Sequence, residues 1–361
     1  MRLSERELIS LIRRKLATSS PGRGIVVGPG DDAAVVSIPE NESLVISTDS
    51  LVEDVHFSLK WATGFLLGQK SFLSSISDIY AMGARPHTCL VSLGLSRTTE
   101  SAFVEDLFDG MLAQAERLGV SIIGGNIARS EKVFIDMTVT GAARRNRIIT
   151  RGGAKVGDSV FVTGELGGAA IAVEMLLRGQ ISPEDVEMTE RVIRGREVPL
   201  EPKSKDAALV SLISRFFAPS LRPDEALLLS NARICTSLID ISDGIGSDLA
   251  QICSESQVGA LIDTKSIPLF KELPNIAKGE DFELRRLAMR GGEDYELLFT
   301  VAPDDELRLQ QLFDSNSLCR VSKIGHIIPA SEGLVFADRE GRPIECLSGF
   351  DHFAGKAEGI D

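Results

Sequence analysis

The sequence predicts a two-domain protein of the mixed α/β class. Its 361 residues are too many for one ordinary hydrophobic core, so two domains are expected. Helix-like and strand-like patterns follow one another without a strict βαβ repeat. Short segments rich in glycine and acidic residues stand at the edges of apolar runs, where binding sites are often built on a rigid scaffold. We expect a first domain over residues 1–148 and a second over residues 149–361.

Three helices are predicted in the first half from apolar residues that recur on one helical face. They cover residues 1–17, 65–82 and 103–118, and the last two end at Gly83 and Gly119, since glycine is common just past a helix C-terminus. Four apolar runs between and after them predict strands. These runs are a buried run around Val45 and Ile46 that ends at Ser47-Thr48-Asp49, then 89–95, 120–123 running into Gly124-Gly125, and 133–140.

The second half begins with a basic stretch, residues 144–153, which is predicted to connect the two domains. A strand is predicted over 159–163, followed by a glycine-rich loop, Gly164–Gly168, that opens a helix. Such a helix N-terminus can bind anions, although the loop matches no standard phosphate-binding motif. A helix over 245–253 and strands over 297–301 and 321–327 complete the prediction, and the residues near 184–229 are extra length with little strand signal.

Composition narrows the function. The net charge is 39 − 52 = −13, which argues against sequence-independent binding of nucleic acid, because that requires a basic surface. Because the protein is acidic, binding of a phosphorylated substrate would require local cationic side chains or a bound metal ion. The five cysteines are scattered and form no CxxC pair, as expected for reduced thiols. With no signal-peptide pattern and no apolar run of membrane-spanning length, a cytoplasmic enzyme that does not bind membranes is expected.

Acidic and glycine-rich segments are the main clue to chemistry. Carboxylates beside glycines at the ends of strands suit Mg²⁺, which prefers oxygen ligands and commonly binds substrate phosphates as well. Each segment alone is better explained as a turn or a helix cap, since Asp is common in both. Only the set favours metal-dependent phosphate chemistry. Its members are Gly28–Ala34 with Asp31 and Asp32, Ser47–Asp49, Ser77-Asp78, Gly124–Asn126, Asp240–Gly244 and Gly291–Asp294.

Together these segments resemble the thiamine-monophosphate kinase family, within the superfamily of aminoimidazole ribonucleotide synthetase and selenophosphate synthetase. The resemblance covers nearly the whole chain and follows one order of motifs. These are Gly-x-Gly-Asp-Asp-Ala (28–33), Ser-Thr-Asp (47–49), His-Phe (56–57), Ser-Asp-x-x-Ala-Met-Gly-Ala (77–84), Gly-Gly (124–125), Arg-x-Gly-Ala-Lys-x-Gly-Asp (151–158), Asp-x-Ser-Asp-Gly (240–244), Gly-Gly-Glu-Asp-Tyr-Glu-Leu (291–297) and Gly-Phe-Asp-His-Phe (349–353).

The resemblance implies a two-domain fold like aminoimidazole ribonucleotide synthetase, with mixed sheets covered by helices, and a homodimer formed by the N-terminal domains. It implies transfer of the γ-phosphoryl group of ATP directly to thiamine monophosphate, without a covalent enzyme intermediate. Several Mg²⁺ ions would be held by Asp32, Ser47, Thr48, Asp49, Asp78, Asn126, Asp240 and Asp243. ATP would contact Gly125, Asn126, Arg151 and Ser242, and the thiamine substrate would contact His56, Glu293 and Phe350.

The chain departs from the family pattern at two positions. The family has Gly-Gly-Asp-Thr where this chain has Gly-Gly-Asn126-Ile127, so an amide stands at the position of an expected metal carboxylate. Ser75 stands where the family favours Asn. Three readings stay open: a kinase with altered metal use, an ATP-dependent kinase or synthetase that acts on another small phosphorylated substrate, and a degenerate nucleotide-binding protein. The five aspartates Asp32, Asp49, Asp78, Asp240 and Asp243 favour the first.

Overall fold

The computed structural model describes residues 5–16, 24–27, 34–196, 200–201, 204–276, 281–338 and 340–344. The predicted ligand-binding residues Asp32 and Phe350 lie outside these ranges, as does Asp31 of the same acidic segment. No helix among the described residues combines the length and the apolar character that crossing a bilayer takes.

The described residues form helices and strands in a mixed order, which confirms the predicted class. The helices are α1 (Glu5–Leu16), α2 (Gly64–Ala81), α3 (Ser101–Leu118), α4 (Gly168–Leu177), α5 (Pro183–Ile193), α6 (Lys205–Phe217), α7 (Pro223–Ala232), α8 (Ile245–Ser256), α9 (Leu273–Ile276), α10 (Asp281–Arg290) and α11 (Glu306–Ser315). The strands are β1 (Ile25–Val27), β2 (Val35–Val36), β3 (Glu42–Val52), β4 (Arg85–Leu95), β5 (Ser121–Arg129), β6 (Phe134–Arg144), β7 (Ser159–Thr163), β8 (Cys235–Asp240), β9 (Val258–Asp263), β10 (Leu297–Val301), β11 (Val321–Pro329), β12 (Leu334–Ala337) and β13 (Pro343–Ile344).

Contacts within the chain define two compact units. The first unit consists of residues 1–150 and 172–234, and the second of residues 151–171 and 235–361. The contiguous division predicted at 148 and 149 stays a prediction. The two units differ from it at residues 149–150 and 172–234, which group with the first unit. Helices α5, α6 and α7 group with the first unit because α6 and α7 pack against α2, while α5 packs against α6. The sequence had given little sign of these helices.

The first unit is built on a four-stranded sheet in the order β3-β6-β4-β5. Strand β6 is antiparallel to both β3 and β4, and β4 is parallel to β5. Helix α2 packs on β3, β4 and β6, and α3 packs on α2 and β5. Along β3 the side chains alternate, so Leu51 is buried toward the helices while Leu44 and Ile46 are exposed on the other face.

Two predicted strand ends are wrong. Strand β3 continues through Asp49 to Val52 because it pairs with β6 over its whole length, from Glu42 opposite Arg144 to Val52 opposite Phe134. Strand β5 likewise continues through Gly124 and Gly125 to Arg129, paired with β4. The polar segments predicted to follow these strands therefore lie inside them.

The second unit is built on a seven-stranded sheet in the order β13-β12-β9-β11-β7-β10-β8. All neighbouring strands are antiparallel except β12 and β9. Helix α8 packs on β8, β9 and β10, and its buried residues Ile245, Leu249 and Ile252 join the core under the sheet. The N-terminus of α8 is thereby fixed directly after β8, where the segment with Asp240 and Asp243 lies.

Helices α2 and α3 approach each other closely enough that only glycine fits at their contact. A β-carbon on Gly68 would lie 2.0 Å from the carbonyl oxygen of Leu107, and one on Gly110 would lie 2.0 Å from that of Phe65. The Gln69 side chain donates a hydrogen bond to the Gly110 carbonyl at 3.0 Å across the same contact. This packing holds α2 in place, and α2 carries Asp78.

Gly68→Ala is expected to lower the free energy of unfolding by roughly 2–3 kcal/mol, because the added methyl group overpacks a backbone contact. Helix propensity alone predicts the opposite sign, a gain of about 1 kcal/mol. Gly119→Ala is the control: it has no atom within 4 Å of the added carbon, and only its positive φ of 67° opposes alanine. Urea unfolding of the three proteins would contradict this packing if Gly68→Ala were as stable as the parent chain.

Candidate functional site

The first unit brings two of the predicted metal residues into contact. The hydroxyl of Ser47, on β3, donates a hydrogen bond to a carboxylate oxygen of Asp78, near the end of α2. Asp49 follows two residues later on the same face of β3, since side chains alternate along a strand. A hydroxyl and two carboxylates thus lie on the side of the sheet that α2 covers, with Asp78 half-buried.

Thr48 lies on the opposite face of the sheet. Its hydroxyl is 3.4 Å from that of Thr138 on β6, and the next exposed residue on this face, Ser50, donates a hydrogen bond to Asp136 at 2.5 Å. The Thr48 side chain therefore does not join Ser47 and Asp78, and any part it takes in the same ion site is through its main chain.

The structure does not bring Asn126 to Asp49. Asp49 is on β3 and Asn126 on β5, which are the two edge strands of the sheet. Across the sheet, Asp49 of β3 lies opposite Met137 of β6, which lies opposite Val91 of β4, which lies opposite Gly125 of β5. Asp49 is therefore three strand spacings, about 14 Å, from the β5 edge. One ion cannot bind both side chains of one chain across that distance. Asn126 is exposed and lies beside Ser92 of β4.

Gly125 has a clear packing reason to be glycine. A β-carbon at this position would lie 1.9 Å from the carbonyl oxygen of Val91 on the neighbouring strand. The register between β4 and β5 shifts just before it, between Cys89 and Leu90. Gly125 thus marks an irregular, exposed stretch of backbone at the sheet edge.

His56 follows β3 in a tight loop. Its ring Nδ1 accepts a hydrogen bond from the Val52 N–H at 3.0 Å, and its own N–H donates to the Val52 carbonyl at 2.9 Å. Because Nδ1 is an acceptor, a neutral His56 carries its proton on Nε2. The imidazole is therefore fixed in orientation, with Nε2 as a donor for a further partner.

In the second unit, two acidic segments that are about fifty residues apart pair through their main chains. Glu293 donates its N–H to the Ser242 carbonyl at 2.9 Å, and Tyr295 donates to Ile241 at 2.9 Å. Gly292 permits this approach, since a β-carbon there would lie 1.9 Å from the Ser242 oxygen. Glu293 adopts a positive φ of 68°, unusual for a residue other than glycine. Predicted ATP and substrate residues are thus direct neighbours.

Three aspartates surround the start of α8, and one of them was not predicted. Asp240 and Asp248 are buried and Asp243 is half-buried. Burial, together with the nearby charges of Asp240 and Asp243, raises the pKa of Asp248 to about 8. One oxygen of Asp248 is buried without a hydrogen-bond partner. The only signal in the sequence is an acidic residue early in a helix, which is common in any helix.

Arg151 is exposed, and its guanidinium group donates a hydrogen bond to the side-chain oxygen of Gln251 on α8. Its main chain is also held by α8. The hydroxyl of Ser256 donates to the Arg151 carbonyl at 3.2 Å and accepts from the N–H groups of Gly153 and Ala154 at 3.1 Å. Gln251 and Ser256 were not predicted as site residues.

The glycine-rich loop at 164–168 does not offer its helix N-terminus to an outside anion. The buried carboxylate of Asp294 accepts hydrogen bonds from Gly167 N–H at 2.7 Å and Ala169 N–H at 3.3 Å. The anion at the start of α4 is therefore a side chain of the protein, and Asp294 fixes the loop to the segment that carries Glu293.

The residue types fit Mg²⁺. The candidate donors, Ser47, Asp49 and Asp78 in one unit and Asp240 and Asp243 in the other, are all oxygen donors. Within the described ranges, no three His, Cys, Asp or Glu side chains are close enough to hold a metal by themselves. Mg²⁺ usually takes one or two carboxylates and completes its shell with waters and substrate phosphates, so pairs of carboxylates suffice.

Comparison with known proteins defines the class. Residues 30–143 match the family model described as AIR synthase related protein, N-terminal domain, and residues 155–337 match its C-terminal domain. The thiamine-monophosphate kinase of Escherichia coli (strain K12) is 33% identical, with 91% of this chain and 93% of that protein covered. The thiamine-monophosphate kinase of Aquifex aeolicus is 31% identical, with 97% and 98% covered.

Solved structures of thiamine-monophosphate kinases are also similar to this chain. The thiamine-monophosphate kinase from Stenotrophomonas maltophilia K279a has a TM-score of 0.77 at 31% identity, covering 93% of this chain and 97% of that one. AaThiL complexed with AMPPCP and TMP has a TM-score of 0.70 at 28% identity, covering 98% and 99%. The chain belongs to the thiamine-monophosphate kinase family.

Asp294→Ala is expected to lower the free energy of unfolding by about 1–3 kcal/mol, since two buried N–H groups at the start of α4 lose their acceptor. Asp304→Ala, an exposed aspartate whose side chain makes no hydrogen bond in the described structure, should change it by less than about 0.5 kcal/mol. Thermal and urea unfolding measure both. Equal stability of the two variants would show that Asp294 does not hold this loop.

Proposed function

We propose that this protein transfers the γ-phosphoryl group of ATP to thiamine monophosphate, giving thiamine diphosphate, with Mg²⁺ as cofactor. Identity of 31–33% over nine tenths of the chain with thiamine-monophosphate kinases supports the substrate pair. A complex of a relative with AMPPCP and TMP supports it further. Phosphoryl transfer needs positioning and charge neutralisation more than covalent chemistry, which suits a site with oxygen donors and no obvious nucleophile.

In this proposal the first unit supplies metal ligands. Asp78 and Asp49 would bind Mg²⁺ with Asp32 and Ser47, and the Ser47 hydroxyl also orients the Asp78 carboxylate through the hydrogen bond described above. When bound, Mg²⁺ neutralises the phosphate charges and lets two anions approach. Thr48 would take part through its main chain. We propose that Asn126 and Gly125 contact ATP at the β5 edge, about 14 Å across the sheet from Asp49.

The second unit would hold the rest of the nucleotide and part of the substrate. Asp240 and Asp243 are proposed as further Mg²⁺ ligands, and Ser242 and Arg151 as contacts to ATP. Glu293 would attract the cationic thiazolium ring of the thiamine substrate, with His56 and Phe350 as its other contacts. The main-chain bond from Glu293 to Ser242 keeps the proposed substrate and ATP residues adjacent. The site of action would be the cytoplasm, where ATP is present.

The proposal is tested by incubating purified protein with ATP, Mg²⁺ and thiamine monophosphate and measuring thiamine diphosphate. We expect thiamine diphosphate and ADP in equal amounts, and none when EDTA is added. Thiamine and aminoimidazole ribonucleotide precursors serve as alternative acceptors. Turnover only with another phosphorylated acceptor would indicate a related kinase or synthetase, and binding of ATP without any turnover would indicate a nucleotide-binding protein.

Asp78→Asn and Asp243→Asn should each lower kcat by about 10²-fold or more, because each removes a charge that stabilises the transition state. Circular dichroism and melting temperature should show the fold intact. Asp314→Asn makes the same chemical change on an exposed residue of α11 and should leave kcat as it is. If both site variants turned over like Asp314→Asn, these aspartates would not be metal ligands.

We also propose that two copies associate through the face of the first sheet that α2 and α3 leave uncovered. Leu44, Ile46 and Leu90 are 44%, 59% and 41% exposed on this face. Three large apolar side chains on one open sheet face favour burial against a second surface.

Sedimentation velocity should show a dimer at micromolar concentration. Ile46→Glu should shift it toward monomer, because a charge would be buried without a partner. Leu307→Glu, a change at a leucine of α11 that is 79% exposed, should leave the dimer intact. A monomeric parent chain would contradict the proposal, as would an Ile46→Glu variant that dimerises as tightly as the parent.

A further inference from the structure

Asp248 holds the main chain of a segment that precedes its own helix. One of its oxygens accepts hydrogen bonds from the N–H groups of Ser242 at 3.1 Å and Asp243 at 3.2 Å. Helix α8 begins only at Ile245, and the N–H of Asp248 already bonds to Gly244 as part of that helix. The Asp248 side chain therefore extends back beyond the first residue of α8, and its carboxylate oxygen accepts hydrogen bonds from the loop that precedes the helix.

This arrangement is costly for the fold alone. The Asp248 side chain is fully buried, its second oxygen has no hydrogen-bond partner, and two further aspartates are near it. A buried polar atom without a partner typically opposes folding, and nearby like charges add to that. A side chain chosen for stability alone would not leave a buried oxygen without a partner. The geometry of the loop, with Ser242 and Asp243 on it, is what Asp248 supplies.

Gln251 orients Arg151 in the same way that Asp248 orients the loop of Ser242. It lies three residues after Asp248, so both side chains emerge from neighbouring positions on one face of α8. Its side-chain oxygen accepts a hydrogen bond from the Arg151 guanidinium. An exposed arginine has many rotamers, and an anchored one loses less entropy when it binds a ligand. The same helix face thus orients the loop of Ser242 and the side chain of Arg151.

We propose that Asp248 and Gln251 are positioning residues: from one face of α8 they fix Ser242, Asp243 and Arg151 for binding Mg²⁺ and nucleotide. This rests on the proposed roles of those three residues. Neither positioning residue needs to touch the ligand. Their effect should appear in nucleotide affinity and in the KM for ATP, and should spare the KM for thiamine monophosphate.

The test compares Asp248→Ala, which removes the acceptor, with Asp248→Asn, which keeps an oxygen of the same shape for the two N–H groups. Calorimetry with AMPPCP and Mg²⁺ measures affinity without turnover. We expect Asp248→Ala to weaken binding by about 10-fold or more and Asp248→Asn by no more than about 3-fold. Gln251→Ala should weaken binding by about 3–10-fold. Ser254→Ala, on an exposed position of the same helix, is the control.

The outcomes separate the alternatives. If Asp248→Ala lowers the melting temperature but binds AMPPCP like the parent, Asp248 is structural only and the inference is wrong. If Asp248→Asn binds as poorly as Asp248→Ala, charge matters and positioning does not. If Asp248→Ala does not fold, AMPPCP binding by Asp248→Asn and Gln251→Ala still tests the inference. Parent-like binding by Gln251→Ala would show that Gln251 is not a positioning residue. Parent protein that binds AMPPCP without making thiamine diphosphate refutes the proposed function and leaves this inference standing.

Discussion

Main-chain pairing between residues 241–242 and 293–295 is the interaction on which the second unit's candidate site depends. It joins two acidic segments that are far apart in sequence, and it requires Gly292, because a side chain there would collide with the Ser242 carbonyl. Glu293 is thereby held at a positive φ, a conformation that costs free energy and persists only where the surroundings fix it. Asp294 extends the same connection to the start of α4. Hydrogen bonds therefore connect the two acidic segments to each other and to the loop that precedes α4.

In the first unit, strand alternation decides which residues can cooperate. Ser47 faces α2 and meets Asp78, whereas the adjacent Thr48 points away toward Thr138. A motif of three consecutive residues is thus divided between two environments, one under the helices and one on an open sheet face. The same alternation places Leu44 and Ile46 on that open face, where both side chains are exposed.

Charge is a general constraint on this molecule. A chain with a net charge of −13 has to attract anionic substrates, and Coulomb repulsion between carboxylates and phosphates opposes that unless cations lie between them. The structure concentrates carboxylates at two places and positions one arginine, Arg151, from α8. The raised pKa of Asp248 comes first from its burial and then from repulsion by Asp240 and Asp243. In the proposed function, Mg²⁺ bound between the carboxylates and the phosphates would remove both repulsions.

The sequence by itself determined the class of fold, most helices of the first half and the set of acidic segments, because these follow from local periodicity, glycine stops and short motifs. It placed Gly83 and Gly119 at helix ends, where both have a positive φ. It misplaced the ends of β3 and β5, since strand length is set by the partner strand. It missed Asp248 and Gln251, and it included Asp294 in the acidic set without predicting that this side chain binds the start of α4. These roles arise from side-chain hydrogen bonds that only the folded structure shows. Only the tertiary structure separated Asn126 from Asp49 and Thr48 from Ser47, because sheet order and pleat are properties of paired strands and are not encoded in the motif itself.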